Sequence, residues 1–388
     1  MNIGIIGFGG MGKTHAYAVD NLKYFYSPLG FSAKVLGVCC GHYENALKAC
    51  STFGFEKAYK NEDELIADPE IDIVDICTPN NLHYETLKKA IAAGKHIYCE
   101  KPLCVTDAQA QEISALAKEK GIITAIVFNT RFLLPVLRAK ELVSAGRIGE
   151  VLSFSGKFYH SSAADPDKKA GWKQNRDVCG GGVLFDLGSH TIDLIRWICG
   201  QEFKSVSGLS QIAYPTRLGM NGEEWKTNAD EAFYMTATLA NGACGTIAVG
   251  KIMAGTNDDH SFEIFGSKGS VAFDLMQPNY LKFYDATAPE AERGYTKIEC
   301  CGRYPAPSGV FPGVKAPCGL IGIAEKGMMN AQFRTLSAGG HASAPKPHTP
   351  VGVLAAACKK VEDHPFPCHI QGPAALMFDT LGRHSTFL

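Results

Sequence analysis

Three groups of residues in this sequence could do chemistry. In the run from Gly180 to Asp193, Asp186 and His190 stand four apart, so a helix would carry them on one face, one turn from each other, with Asp193 a further turn along. A carboxylate beside an imidazole can hold the ring and keep it basic enough to take a proton near neutral pH. A satisfied buried hydrogen bond would leave the same pattern, and spacing alone does not separate the two. Glu100-Lys101-Pro102 follows a short apolar run, at the end of a strand where open α/β sheets bind their ligands. A lysine there points its ammonium at whatever lies over the sheet edge; a surface lysine paired with Glu100 is the plainer alternative. Gly7-Phe8-Gly9-Gly10-Met11-Gly12 fits G-x-G-x-x-G. Gly7 would make the tight turn, Gly9 would let backbone approach a pyrophosphate, and Gly12 would allow close helix-strand packing. Amides at the start of the next helix would then face the phosphates.

These residues need elements to hold them. The run Asn2 to Ile6 is short, apolar and bounded by glycine, as a strand buried on both faces would be. Further strands are expected near Ala33 to Cys39, Ile71 to Cys77, Lys95 to Cys99 and Ile122 to Phe128. Amphipathic helices are expected at Met11 to Leu22, Tyr43 to Phe53, Asn80 to Ala93 and Thr106 to Lys120, the last with a capping box at Thr106 and Gln109 and an end at Gly121. Alternating β and α elements predict a Rossmann-type, doubly wound parallel sheet over residues 1–128. After it come a helix from Pro135 to Ala145, the strand VLSFSGKFYH, a polar loop from Ser161 to Cys179 and a helix from about Gly181 to Cys199. Strand-like runs with tight turns follow from Ala229 to Tyr284, including Asn241-Gly242. Residues 129–388 are therefore expected to form an α+β substrate and oligomerisation domain. Its mainly antiparallel sheet would carry helices on one face and a subunit partner on the other.

Composition excludes several classes of function. With 38 Lys and Arg against 39 Asp and Glu, net charge −1, nothing attracts a nucleic-acid backbone or an anionic membrane over long range. No run of 18 apolar residues occurs, and the first residues lack the basic start and apolar core of a leader. The 14 cysteines sit mostly in apolar runs, as reduced cytoplasmic thiols do, and Cys39-Cys40 and Cys300-Cys301 lack zinc-ligand spacing. No metal site is expected. At the end of the second strand, where an acidic residue would hold the ribose hydroxyls of NAD, the chain has Cys40, with Gly41 and His42 after it. Cys40 and His42 are the candidates for the adenosine end, and the choice between NAD and NADP stays open.

The glycine turn, Thr78-Pro79-Asn80-Asn81-Leu82-His83, Gly94-Lys95-His96, Glu100-Lys101-Pro102 and the G-G-G-x-x-x-D-x-G-x-H stretch ending at His190 together resemble the Gfo/Idh/MocA oxidoreductases, the glucose-fructose oxidoreductase and inositol dehydrogenase family. The similarity runs from residue 2 to about 275, takes in Asn228-Ala229-Asp230-Glu231-Ala232, and fades beyond Asp285. It implies that Lys101, Asp186 and His190 are catalytic. It also implies that Thr78, Pro79, Asn80, His83, Glu100, Lys101 and Asn129 lie along the cofactor, with Trp172-Lys173 reaching over the site, although His83 and His96 also suit a structural role. The activity implied is hydride transfer between NAD or NADP and a secondary alcohol of a sugar, cyclitol or sugar derivative. His190 would be the base, Asp186 its orienting partner, and Lys101 the donor to the substrate oxygen. The same residues would also serve a glycoside hydrolase that uses bound NAD transiently, and a third alternative is a non-enzymatic sensor of the cofactor. Arg131, Tyr159, His160 and Arg303 are candidate substrate contacts.

Overall fold

The computed structural model describes residues 1–25 and 30–300. The first half alternates β1 (Asn2–Ile6), α1 (Gly10–Phe25), β2 (Lys34–Cys39), α2 (Tyr43–Phe53), β3 (Lys57–Tyr59), α3 (Glu62–Ala67), β4 (Ile73–Ile76), α4 (His83–Ala92), β5 (His96–Cys99), α5 (Asp107–Lys120) and β6 (Thr124–Ile126). The strands form one sheet in the order β3-β2-β1-β4-β5-β6, with every pair parallel. Strand order reverses direction at β1, so the carboxyl ends of β1 and β4 open a crevice there, the place where such sheets take ligands. Ile5, Val38, Val74 and Ile76 have no measurable exposure, as the largely apolar, β-branched runs of these strands require, with Asp75 in β4 the buried exception. The pair β3 and α3 has too few residues for a periodic pattern, so the sequence does not announce it. α3 is held by its N-cap, where Asn61 accepts a hydrogen bond from the Glu64 amide.

The second half contains α6 (Leu134–Ser144), β7 (Val151–Tyr159), α7 (Arg176–Cys179), α8 (Ser189–Cys199), β8 (Phe203–Gln211), β9 (Thr216–Leu218), β10 (Glu224–Lys226), β11 (Ala232–Leu239), β12 (Cys244–Gly250), β13 (Asp259–Gly266), β14 (Gly269–Asp274), β15 (Tyr280–Asp285) and β16 (Tyr295–Glu299). β9 and β10 form a small hairpin; the others make an eight-stranded sheet in the order β16-β15-β14-β13-β7-β12-β11-β8. The sequence suggests one continuous meander after Ala229. Instead β7, from far upstream, sits between β13 and β12 and pairs parallel to β12. The meander is thereby split into two antiparallel groups, a long-range pairing that local turn signals do not encode. α6 and α8 cover one face, and Phe154, Leu194, Ile195, Ile198, Phe262 and Ile264 fill the layer between. This helix layer and the crevice of the first sheet hold the residues singled out above.

Candidate active site

The glycine turn connects β1 to α1 as the sequence requires. Gly7 has φ +93°, and a Cβ there would meet the Cys77 carbonyl oxygen at 2.6 Å; a Cβ on Gly12 would meet the Gly7 oxygen at 2.3 Å. These two positions tolerate only glycine. A Cβ on Gly9 or Gly10 would meet nothing within 4 Å, so backbone there lies open beside the amino end of α1, with room for a phosphate and amides to hold it. Across the crevice, the Thr78 hydroxyl is buried with no hydrogen-bond partner among the described residues, a polar atom left for a bound group. A dinucleotide fits this cradle. Cys40 is half-buried at the end of β2 and His42 is exposed at the start of α2. Burial pushes the Cys40 thiol above its usual range, so it stands there uncharged.

Two residues expected along the cofactor are committed elsewhere. His83 is fully buried, its Nδ1 2.9 Å from the Pro102 carbonyl oxygen and its Nε2 3.0 Å from that of Thr78. It clamps the turn after β4 to the turn after β5 and offers no nitrogen to a cofactor. Glu100 is also buried; its Oε1 lies 3.1 Å from His15 Nε2, and its Oε2 accepts the Lys101 amide at 3.1 Å. The His15 Nδ1 lies 3.0 Å from both oxygens of Asp75, which is buried in β4. Burial disfavours charge on His15, yet its hydrogen bonds to Asp75 and Glu100 win and raise it to about 10, so an imidazolium is held between two carboxylates. His15, Asp75 and Cys77 bring ligand atoms within 4.8 Å of one another, but His15 Nδ1 already serves Asp75. The cluster is accounted for as an ion pair.

Residues Val183 to Cys199 form a continuous helical stretch, as the spacing suggests, but its α-helical register is interrupted near the start. A π-helical turn occupies Leu184–Gly188 and α8 begins only at Ser189. Asp230 fixes this turn: its Oδ1 accepts the Gly182 amide and its Oδ2 the Leu184 amide, each at 2.9 Å, while its backbone oxygen takes the Val183 amide at 2.8 Å. Gly182 lies so close that a Cβ would meet the Asp230 oxygen at 2.0 Å. The wider turn rotates Asp186 away from the α-helical stripe, and no hydrogen bond joins it to His190. The expected Asp186-His190 pairing is thus replaced by another.

Asp186 instead faces three ammonium groups. Lys101 Nζ donates to its Oδ1 at 3.0 Å and to its backbone oxygen at 2.8 Å; Lys173 Nζ lies 3.0 Å from Oδ2, and Lys251 Nζ 3.1 Å from Oδ2. Burial opposes its charge, but Lys251, Lys101 and Lys173 outweigh that and hold the carboxyl well below its usual range. His190 is buried in α8, edge-on to Phe128 and Phe158, and its Nδ1 has no hydrogen-bond partner among the described residues. Burial first, then the Lys101 ammonium and the His260 ring, keep His190 well below the ordinary histidine range, so it is a neutral imidazole at pH 7.

The sequence reading passes over Lys251. It follows β12 directly and is buried, whereas Lys101 follows β5 with Glu100 between them; a lysine near the carboxyl end of an apolar strand is common to both, but that local signal does not name Asp186 as the partner. Trp172 and Lys173 lie on a short 3-10 turn, Trp172–Gln174, with the Trp172 ring exposed and the Lys173 ammonium above it. The Asn80 amide donates to the Cys179 carbonyl at 2.9 Å and ties the first half to this loop. Pro79 precedes it, and Asn129 opens the 3-10 turn Asn129–Phe132 after β6. Arg131 is not free for a substrate, since its guanidinium forks onto the Asp193 carboxylate, with Nε to Oδ2 at 2.6 Å. His160 accepts the Ser162 amide and lies 3.4 Å from Asp258, and Tyr159 sits under the Lys157 ammonium. Arg303 and the glycine-rich stretch after residue 300 lie outside the described residues.

Residues 1–128 match the model of the oxidoreductase family with NAD-binding Rossmann fold, and residues 136–272 match the GFO/IDH/MocA C-terminal domain. Levoglucosan dehydrogenase of Pseudarthrobacter phenanthrenivorans is 31% identical over 358 residues, covering 88% of this chain and 91% of that protein. Myo-inositol 2-dehydrogenase of Thermotoga maritima is 28% identical over 76% of this chain and 81% of its own. Among solved structures, levoglucosan dehydrogenase in complex with NADH and L-sorbose superposes with a TM-score of 0.77 at 32% identity, covering 83% of this chain and 85% of that one.

Proposed function

The chain belongs to the Gfo/Idh/MocA oxidoreductases and carries their NAD-binding Rossmann domain, and from that premise we propose that it oxidises a secondary alcohol of a sugar, cyclitol or sugar derivative. One observation carries the reading. Beyond the carboxyl edge of the parallel sheet, the Lys101 ammonium sits on the Asp186 carboxylate, and a neutral His190 ring, whose Nδ1 has no hydrogen-bond partner among the described residues, lies within reach of both charges. An alcohol can be dehydrogenated only if its proton has an acceptor and the oxygen a cation while negative charge develops on it. His190 accepts the hydroxyl proton. Lys101 donates to the same oxygen, its position fixed by Asp186 on one side and by Glu100 through the backbone amide on the other. When bound, NAD supplies the hydride acceptor, held at its phosphates by the Gly7 to Gly12 turn and flanked by Thr78. Lys173 and Trp172 close over it. Carbohydrate substrates of the levoglucosan and myo-inositol relatives support the substrate class.

The test is a panel of anhydrosugars, aldoses, inositols and nitrophenyl glycosides, offered with NAD and with NADP, while NAD(P)H absorbance and nitrophenol release are both followed. Net reduction of the cofactor by a polyol is the expected result. Nitrophenol release without net reduction would replace this reading with redox-assisted hydrolysis, and neither signal with any substrate would leave the sensor.

A further inference from the structure

Lys251 stands out because the reaction just described does not need it. A base, an oxyanion donor and the carboxylate that seats the donor are complete with His190, Lys101 and Asp186. Yet a third lysine, almost wholly buried, is brought to the same Asp186 oxygen that Lys173 approaches. Burying an ammonium is costly unless a counter-charge repays it, so its place at the end of β12 is built rather than incidental. Its backbone is pinned as well: the Lys251 amide donates to the Glu231 oxygen and the Lys251 oxygen accepts the Ala163 amide, both at 2.8 Å.

We propose that Lys251 is a positioning residue that acts through Asp186, engaging the carboxylate that would otherwise turn its charge toward His190. The inference rests on His190 being the base. Each charged or titratable group around that ring can be named. Asp186 precedes it by four residues, and Asp193 follows it but is neutralised by Arg131. Lys101 comes from the turn after β5, Lys173 from the turn at Trp172–Gln174 and Lys251 from the end of β12. His260 comes from β13, stacked on Phe158 with ring centroids 4.3 Å apart and bonded through Nε2 to the Thr191 hydroxyl at 3.2 Å. His260 is itself buried and uncharged, pushed down to about 3. Only Asp186 favours an imidazolium at position 190, and the lysines consume its charge. With Lys251 in place the ring arrives neutral, ready to take a proton rather than already carrying one.

The decisive experiment needs no substrate. His190 is followed by NMR of histidine-labelled protein titrated with acid in the presence of NADH, its signal assigned by its loss in His190→Gln. In the wild-type chain the ring stays neutral far below pH 6.5. Lys251→Met is expected to move the midpoint upward by about one pH unit or more, a tenfold or greater change in proton affinity, and Lys251→Arg, which keeps the charge, to leave it near the wild-type value. The acid limb of kcat/KM should move with the midpoint. If Lys251→Met fails to fold, Lys251→Gln supplies the same removal of charge with a polar side chain. An unmoved or lowered midpoint in the charge-removing variant overturns the proposal. Absence of turnover with every polyol would overturn the dehydrogenase reading instead, and the titration would still decide this one.

Discussion

At the scale of single residues, the proposed reaction assigns some groups to the reacting atoms and others to holding them. Lys101→Met and His190→Asn should each lower kcat/KM by about two to four orders of magnitude while leaving NADH affinity, measured by fluorescence titration, almost unchanged. Turnover that survives both replacements would remove these residues from the reaction. Because His190 is held below the ordinary histidine range, the proton acceptor stays unprotonated as pH falls through 6.5. Oxidation should therefore show no loss of kcat/KM around pH 6 to 7 on the acid side; a midpoint near 6.5 would contradict the burial argument. Much of this was legible in the text: the glycine turn, Lys101 and His190 lie where strand ends and spacing put them. Asp186 and His190 share no hydrogen bond because i, i+4 spacing assumes an α-helix, and the π turn at Leu184–Gly188 alters the register there. Lys251 was missed because nothing local ties a lysine after β12 to an aspartate 65 positions earlier; only the fold does.

At the scale of elements, two devices set the geometry. The first is the Asp230 seat beneath the π turn. Gly182→Ala pushes a methyl into the Asp230 backbone, and the expected cost is about 1–3 kcal/mol of unfolding free energy together with loss of activity through displaced Asp186. Denaturant unfolding checks it, and wild-type stability in that variant would show the contact to be soft. The second is His15, which links α1, β4 and the turn after β5. His15→Gln leaves two carboxylates buried without their cation and should cost about 3–5 kcal/mol at neutral pH. The sign of the pH dependence follows from a raised folded-state value. The contribution is complete below about pH 6.5, declines as pH rises, and is gone once pH passes about 10. The stability difference between wild type and His15→Gln should therefore shrink from pH 6.5 to 10; a difference that grows over that window refutes the assignment. The main strands and helices of the first sheet were readable from apolar runs and caps. The short β3 and α3, and the insertion of β7 beside β12, were not, since three-residue strands lack periodicity and parallel pairing across a long loop leaves no turn signature.

At the scale of the whole molecule, the second sheet carries helices on only one face among the described residues. The registers Leu209 to Tyr234, Tyr234 to Ala248, Ala248 to Lys157 and Lys157 to Ser261 lay one row of side chains across its opposite face. Leu209 and Tyr234 are among the exposed large apolar residues of that row. We expect copies of the chain to meet there. Light scattering after gel filtration should give a multiple of the chain mass for the wild type and the mass of one chain for the double variant Leu209→Lys, Tyr234→Lys. A monomeric wild type would end that expectation. No helix among the described residues is long and apolar enough to cross a membrane.

The three charges around Asp186 also have an order in time. Lys101 belongs to a sheet built from neighbouring βα units, whose contacts close over short stretches of chain. Lys173 and Asp186 come next, and Lys251 arrives only after β12 has found β7 across the residues between them. A ribosome halted ahead of β12 would thus display a nucleotide cradle and a seated Lys101 on a centre whose electrostatics are unfinished. We expect binding competence to come before chemical competence in the history of each molecule.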